Sequence, residues 1–586
     1  VPGDEQVTLY WDAIAETSYD LISESYDFEG YVVYRSIEPS FLDQQTITDA
    51  NGSKFLFEPL KMATGSPARF DLVNDYSGLS TIPYGDRGVF YNLGSNTGLR
   101  HSFIDSNNVI NGQTYYYAVV SYDHGDDSLG IAPSECSKTI TLNPETNEVI
   151  LDVNTKQIVP RVPSAGYVPG NINENFIEHV SGVATGTIVI EVIDPRAIED
   201  ANMFEVSFME SPTSYSVKDM KTVADELVAK LDQFVRLDYG NIDSLSFSLS
   251  GINGNNTYES GIDYELIPIS GKIRAIPGGA LLDGVTYLAS YMYYGVVASS
   301  LLNMEESNPV FDGLKIYAQN QILALDETQM AWSAGSPTNW EPQVKPFNNI
   351  GTKMYPADYE VRFFDDIADS SARPNYGYVK AKFQVWETTA GLVPEQRKVI
   401  ILELPPEDSL WTPGDRAVIL QGDETSTTSW EFTFLEQAEG GIAPNSGDIY
   451  YIATTRPFTE GDKYQFTTSA STINNEQAMN ELDKISVVPN PYVVTNVLEP
   501  LDRQNPRDRG PRRVYFNHLP KDCTIRIYTV SGERVQTIEH YATIDNGLET
   551  WDLLTKDNLS VSYGVYIYHV EAPGIGEHIG KFALIK

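Results

Sequence analysis

The sequence predicts an all-β, multidomain protein in which β-sandwiches follow one another along the chain, with one amphipathic helix among them. Three observations predict it. Short runs of alternating apolar residues recur from end to end, each bounded by Gly, Asn or Asp turn signals. The composition, with 36 tyrosines, 43 glycines and 33 prolines, is that of strands joined by tight turns. At 586 residues the chain is also too long for a single hydrophobic core. With 41% hydrophobic and 21% charged residues it has the means to bury several.

Residues 1–145 read as the first sandwich. "VTLYWD" (7–12) sets Val7, Leu9 and Trp11 on one face. "GYVVYRS" sets Tyr31, Val33 and Arg35 on one side and Val32 and Tyr34 on the other. Asn111-Gly112 tolerates the positive φ of a tight turn and should launch a strand in which Tyr115, Tyr117 and Val119 face together. These three strands resemble the B, C and F strands of fibronectin type III domains. The chain departs from that family by an insertion at about 37–100, whose own apolar positions predict that it folds back as an elaboration.

Residues 146–180 carry prolines and little periodicity, so an extended linker is expected there. A β-domain follows over 181–300, opening with the strands "GTIVIEVID" and "NMFEVSFME". Within it the spacing predicts a helix over 216–236. Met220, Val223, Ala224, Leu227, Leu231 and Phe234 recur at three-to-four spacing, and Ser216 with Asp219 is close to a capping box. A further sandwich is expected over 301–480 from runs such as "DYEVRFFDD", "KVIILEL", "RAVILQG" and "SWEFTFLE". Its polar tail, 469–484, separates it from the last domain.

Residues 481–586 give clear strand signals: "ISVVPNPYVV", "RRVYFNHLP", "CTIRIYTVSGERVQTIE", "VYIYHV" and "GKFALIK". Ser531-Gly532 marks a hairpin. Pro489 and Pro491 cannot donate to a central ladder, so their stretch should be an edge strand or a switch between sheets. The sum is a seven-strand sandwich of immunoglobulin-like size.

This segment resembles the C-terminal sorting domain (type A) of type IX secretion system cargo proteins. The match is carried by "VVPNPY" (487–492), "IRIYTVSGERV" (525–535), "WDL" (551–553), "GVYIYHV" (564–570) and "GKFALIK" (580–586). The residues standing at its motif positions are Pro489, Asn490, Pro491, Gly532, Gly564, Lys581 and Lys586. The resemblance implies a protein exported across the outer membrane, extracellular or at the cell surface, with the type IX machinery as a partner. It leaves open whether the domain is cleaved and the protein anchored. The opening residues lack an initiator methionine and the plan of a signal peptide, so Val1 is expected to be a processed or trimmed N-terminus.

Charge sorts the remaining partners. With 81 acidic and 40 basic side chains the formal charge is −41, a field that repels phosphate backbones and argues against nucleic acid. No apolar run is long enough to span a membrane as a helix. Against this background Arg503, Arg507, Arg509, Arg512 and Arg513 cluster in one insert. Guanidinium groups take carboxylate or phosphate partners, so the cluster is a candidate surface for an acidic neighbour, the export machinery or lipopolysaccharide phosphate. The plain alternative is a solvated loop with local ion pairs.

Motifs of bond chemistry are absent: there is no HExxH, GxSxG, GxxxxGK or GxGxxG in context. The seven histidines are scattered. Paired carboxylates suffice for a glycosidase, but so acidic a chain does not single out a pair. The loop "YDHGDDSLG" concentrates Asp123, Asp126 and Asp127, oxygen ligands suited to Ca²⁺, although without EF-hand spacing; an ordinary solvated turn explains it as well. Cys136 and Cys523 fall in different domains, so no bridge is expected, and each should be a small buried hydrophobe. Aromatic positions could also form glycan-stacking platforms, or simply pack the sandwiches.

The sequence thus points to a secreted surface protein that is not an enzyme. Its expected role is structural or adhesive, as a surface-layer, filament or matrix component touching glycans or copies of itself. The alternative is an exported hydrolase acting on polysaccharide or protein, with its site within 145–475.

Overall fold

The computed structural model describes residues 1–585 except 49–51, 53, 85–87, 143–148, 174–176, 211–212, 255, 304–307, 348–353, 373–377, 406, 422–426, 438 and 494–511. Almost every element is a β-strand, and nearly all pairings are antiparallel.

The first sandwich sets a three-stranded sheet (Pro2–Gly3, Gln6–Tyr10, Ser102–Asp105) against a four-stranded one. The latter has the order Thr155–Ile158, Tyr115–Asp123, Phe28–Ser36, Arg69–Asp71. Val7, Leu9, Val33, Tyr115 and Tyr117 fill the space between the sheets, with Val119 packed beside them, as the alternation requires. The opposite face of the four-stranded sheet is buried too. Val32, Tyr34, Tyr116, Ala118, Val120 and Tyr122 lie under Phe41, Tyr91 and Leu93 of the insertion. This explains why "YYYAVV" is apolar at every position: a strand covered on both faces loses its polar side.

The expected linker does not survive. Thr155–Ile158 completes the first sandwich, and Val149–Leu151 pairs with Ile140–Leu142. Tyr167–Val168, Asn171–Ile172 and Glu178–Ser181 pair with strands from residues 463–473. Prolines punctuate this segment, but its free N–H and C=O groups find ladders on either side.

The expected helix over 216–236 is also corrected: Thr213–Val228 is one long strand. It pairs with Met203–Glu210 on one edge and Thr286–Ser299 on the other. Of the six apolar positions on the predicted helical face, only Leu227 is buried; Leu231 is 41% and Phe234 38% exposed. The buried set is instead Ser214, Tyr215, Val217, Asp219, Asp225, Leu227 and Ala229, which keeps a period of two from Tyr215 to Asp219 and again from Asp225 to Ala229. Two neighbouring strands with complementary edges outweigh local helix propensity. The α-helix that does occur, Asn475–Glu481, lies in the polar stretch read as a separator, capped by Asn474, whose Oδ1 accepts from the N–H groups of Glu476 and Gln477.

The domain boundary expected near residue 300 is corrected as well. Lys463–Ser469 joins Met203–Glu210 in an eight-stranded sheet, which is faced by a three-stranded sheet of Thr187–Val192, Leu314–Gln319 and Val310–Phe311. Residues 331–452 form a separate five-on-four sandwich, inserted into that unit, around Trp430, Phe383, Phe432 and Phe434. Buried Arg456 joins the two units: Nη1 donates to Asp358 Oδ1 (2.6 Å) and Nε to the Val183 carbonyl (2.5 Å). The eight-stranded sheet also serves two cores, one around Phe204, Val206 and Phe466 and another around Leu249, Tyr287 and Tyr291.

The last sandwich is three strands (Ser486–Val488, Val514–Asn517, Glu549–Trp551) on five. The five run Tyr492–Val493, Gly576–Ile585, Gly564–Ala572, Asp522–Thr529, Arg534–Tyr541. Among the described residues eight strands stand where seven were expected, because "ISVVPNPYVV" is divided between the sheets.

Candidate functional site

In the C-terminal sandwich the stretch 485–493 crosses from one sheet to the other. Ser486–Val488 is an edge strand of the three-stranded sheet, and Tyr492–Val493 pairs in parallel with Leu584 and Ile585 at the edge of the five-stranded sheet. Both Pro489 and Pro491 stand at the crossing, where no ladder needs their missing N–H. Between them the Asn490 side chain makes the bonds that a strand backbone would make. Its Nδ2 donates to the Lys581 carbonyl (3.3 Å) and its Oδ1 accepts from the Ala583 N–H (3.1 Å).

The other motif positions are spread over the same sandwich. Gly532, at φ 88°, closes the hairpin between Asp522–Thr529 and Arg534–Tyr541, and its N–H donates to the Thr529 carbonyl (3.0 Å). Gly564 opens the strand next to the last one, and the Lys581 side chain is exposed on the last one. Lys586 lies outside the described residues. Beneath them Tyr566, Tyr568, Trp551 and Phe582 form one aromatic core.

This sandwich is seated on the rest of the chain. Residues 162–166 run along its 543–547 loop: the Gly547 N–H donates to the Val162 carbonyl (2.8 Å), Ser164 N–H to Ile544 (3.1 Å) and Ala165 N–H to Leu519 (3.0 Å). Asp545 accepts from Arg161 and lies 3.8 Å from Arg196. Burial would raise the Asp545 carboxyl, but the Thr543 hydroxyl and the Arg161 charge hold it below its ordinary value. Close by, burial would raise the Glu549 carboxyl, which His540 Nδ1 at 2.8 Å and the Thr550 N–H instead hold low.

The remaining expected sites are not brought together. Asp123 accepts from the N–H groups of Gly125 and Ser134 and from the Ser134 hydroxyl; Asp126 accepts from Ser128 and Leu129; Asp127 accepts from Thr81. Asp123 and Asp126 are bonded within their own loop and Asp127 to the strand Gly78–Pro83, and among the described residues no group of three or more His, Cys, Asp or Glu could hold a metal ion. Arg503, Arg507 and Arg509 lie outside the described residues, while Arg512 is exposed and Arg513 half-buried. Cys523 is buried and its thiol is pushed up to about 12 by burial. Cys136 is exposed, contrary to expectation, because its segment lies along a strand edge with its N–H donating to the Ser121 carbonyl (2.9 Å).

The structure also assembles a carboxylate pocket that the sequence reading missed. Where Thr213–Val228 pairs with Thr286–Ser299, Asp219 opposes Tyr293 and Val223 opposes Tyr291, so Thr213–Val228 bulges at Lys221 and Thr222. A cavity of about 350 Å³ opens there, lined by Asp219, Asp225, Asp238, Asp312, Glu199, Tyr239 and Tyr293 among others. Tyr239 stacks on Tyr293 (ring centroids 4.1 Å apart), and the Tyr293 hydroxyl donates to Asp312 (2.8 Å). The charge of Asp225, and a hydrogen bond to it, raise the Asp238 carboxyl above its ordinary value. Burial raises that of Asp312, with the charges of Asp219 and Glu199 adding to it against the Tyr293 hydroxyl. The signal available in the sequence was the odd-numbered alternation Tyr215, Val217, Asp219 and Asp225, Leu227, Ala229. A helical reading sends both aspartates to solvent.

A larger cavity of about 770 Å³ lies by the first sandwich, with Trp11, Tyr31 and Tyr117 among its lining residues. Among the described residues no helix is long and apolar enough to cross a membrane.

No family model matches the chain, and no curated protein does. Among solved structures it is similar to PorZ, described as an essential bacterial surface component of the type-IX secretion system of Porphyromonas gingivalis. The identity is 12%, over 90% of this chain and 78% of that one, with a TM-score of 0.15. At that score the likeness carries no argument about fold or function.

Proposed function

We propose that this is a secreted cell-surface protein exported by a type IX pathway, that residues 481–586 are its sorting domain, and that the remainder works by binding rather than by bond chemistry. The observation that carries the reading is the C-terminal sandwich itself. The five sequence stretches that resemble the family build one core, and the Pro-Asn-Pro stretch is tied to the last strand through Asn490. The fibronectin-like reading of residues 1–145 draws support from strand positions: the strands likened to C and F are neighbours in one sheet, and the one likened to B is in the facing sheet. A structural or adhesive role is consistent with many sheet edges and with the acidic surface.

A hydrolase would place its acid and base in the carboxylate pocket. There Asp219 already accepts from the Lys221 N–H (2.7 Å) and the Asn202 amide (2.9 Å), and Asp225 from the Asp238 N–H (2.9 Å) and the Tyr291 hydroxyl. Carboxylates so committed suit a fixed negative wall better than proton transfer.

The test is export of the whole chain, supplied with a Sec leader, in a type IX-competent bacterium and in a translocon-deficient derivative. Surface display in the first and periplasmic retention in the second is the expected result. Equal display in both strains, or retention in both, overturns the proposal.

A further inference from the structure

Spontaneous loss of a side-chain amide requires an asparagine followed by glycine, a backbone loose enough to bring the glycine nitrogen onto the asparagine Cγ, and water. Glycine favours the approach because it has no Cβ to crowd it. Asn-Gly occurs at 51–52, 111–112, 253–254 and 546–547. Asn51 lies outside the described residues, and the structure sorts the other three.

Two are locked. Asn111 is 6% exposed; its Oδ1 accepts from the Glu5 N–H (2.9 Å), its Nδ2 donates to Asp4 (2.7 Å), and the Gly112 N–H donates to the Pro160 carbonyl (2.8 Å). Asn546 Oδ1 accepts from the Leu548 N–H (3.2 Å), and the N–H of buried Gly547 donates to Val162 in the seam under the C-terminal sandwich (2.8 Å). In both, the attacking nitrogen is held by a carbonyl distant in sequence, so its release requires packed structure to open.

Asn253-Gly254 differs. Both residues are exposed, the Asn253 side chain makes no hydrogen bond among the described residues, and a Cβ at Gly254 would meet nothing within 4 Å. The Gly254 N–H does donate to the Gly251 carbonyl (2.7 Å), but that bond closes only a surface turn, which opens without disturbing a core.

We propose that Asn253 deamidates spontaneously in the folded protein and that its isoaspartate product loosens the hairpin this turn closes. The Gly254 nitrogen, its proton lost to solvent base, attacks Asn253 Cγ; the bond from Cγ to the side-chain nitrogen breaks, and that nitrogen takes a proton from water and leaves as ammonia. One water then opens the succinimide at either carbonyl, giving aspartate or isoaspartate. Isoaspartate adds a methylene to the main chain inside the turn between Ser248–Gly251 and Thr257–Tyr258, and turn length fixes hairpin register. Leu249 stays held by Ala289 on its other side, so the edge strand Thr257–Tyr258 is the part that comes away.

The experiment incubates the full chain in mildly alkaline buffer, natively and in urea, and follows the three sites by peptide mapping that separates asparagine, aspartate and isoaspartate. Natively, Asn253 is expected to convert at least about tenfold faster than Asn111 and Asn546, and in urea the three rates should converge. Asn253→Gln, whose longer side chain closes a ring far more slowly, should stop conversion at that site and leave the other two unchanged. Hydrogen exchange in Thr257–Tyr258 should rise as isoaspartate accumulates in the wild-type chain and stay constant in Asn253→Gln. Equal native rates at the three sites, conversion of Asn111 or Asn546 ahead of Asn253, survival of Asn253 natively while urea converts it, or exchange in Thr257–Tyr258 unchanged by isoaspartate overturns the proposal.

Discussion

Gly547→Ala is expected to unseat the C-terminal sandwich without damaging it. A Cβ at position 547 would lie 2.5 Å from the Pro163 carbonyl oxygen and 3.0 Å from that of Leu519, both backbone atoms that have no rotamer to yield. The residue is outside the aromatic core, so the core of the sandwich should persist. What is lost is the seam: three backbone hydrogen bonds, from Gly547 to Val162, Ser164 to Ile544 and Ala165 to Leu519, with the Arg161–Asp545 pair beside them. At about 1 kcal/mol net for each backbone bond, and little for a pair whose arginine is a third exposed, the seam contributes about 3 kcal/mol. Local opening should then become on the order of a hundredfold more frequent. Hydrogen exchange of the intact chain measures this at the amides of Gly547, Ser164 and Ala165. Gly251→Ala is the control, because a Cβ there meets nothing within 4 Å. Unchanged exchange at these amides in Gly547→Ala, or collapse of protection in the Val570 and Ile525 strands as well, would refute the reasoning.

Further outcomes are expected elsewhere. Asn490→Ala removes the two bonds to the last strand and should cost about 1–2 kcal/mol, read as a lower unfolding midpoint of the C-terminal sandwich, with surface export reduced in parallel. Glu549 has a carboxyl held below its ordinary value, so its contribution is present above the unfolded pKa of about 4.3 and is lost as pH falls through the lower folded value. Glu549→Gln should flatten that acid-side decline in thermal melts, and an unchanged pH profile would contradict it. Val217, fully buried, should cost about 2 kcal/mol on replacement by alanine, whereas exposed Ala224→Ser, on the face a helix would bury, should be near neutral. The reverse ordering in denaturant melts would restore the helix. Added Ca²⁺ should leave the unfolding midpoint unchanged, because Asp123 and Asp126 already accept from N–H groups of their own loop and Asp127 from the Thr81 hydroxyl.

What the sequence determined by itself was the local grammar. Alternation put Tyr115 and Tyr117 on one face and the Pro489–Pro491 stretch at an edge or a switch between sheets where a ladder donor is not needed, while the second core over Tyr116 and Ala118 came from the insertion folded across them. Glycine marked the turns at 112 and 532, because few other residues take positive φ there cheaply. Partner choice was decided only in the tertiary structure. Nothing local in Lys463–Ser469 says that it pairs with Met203–Glu210 across an inserted sandwich, or that residues 162–166 will bind the 543–547 loop. Thr213–Val228 shows the physical reason. Its apolar residues satisfy both a 3.6-residue and a two-residue period, and the tie is broken by two strand edges, one just before it in sequence (Met203–Glu210) and one far beyond it (Thr286–Ser299). The same choice turns Asp219 and Asp225 from a solvated helix face into the wall of a buried pocket.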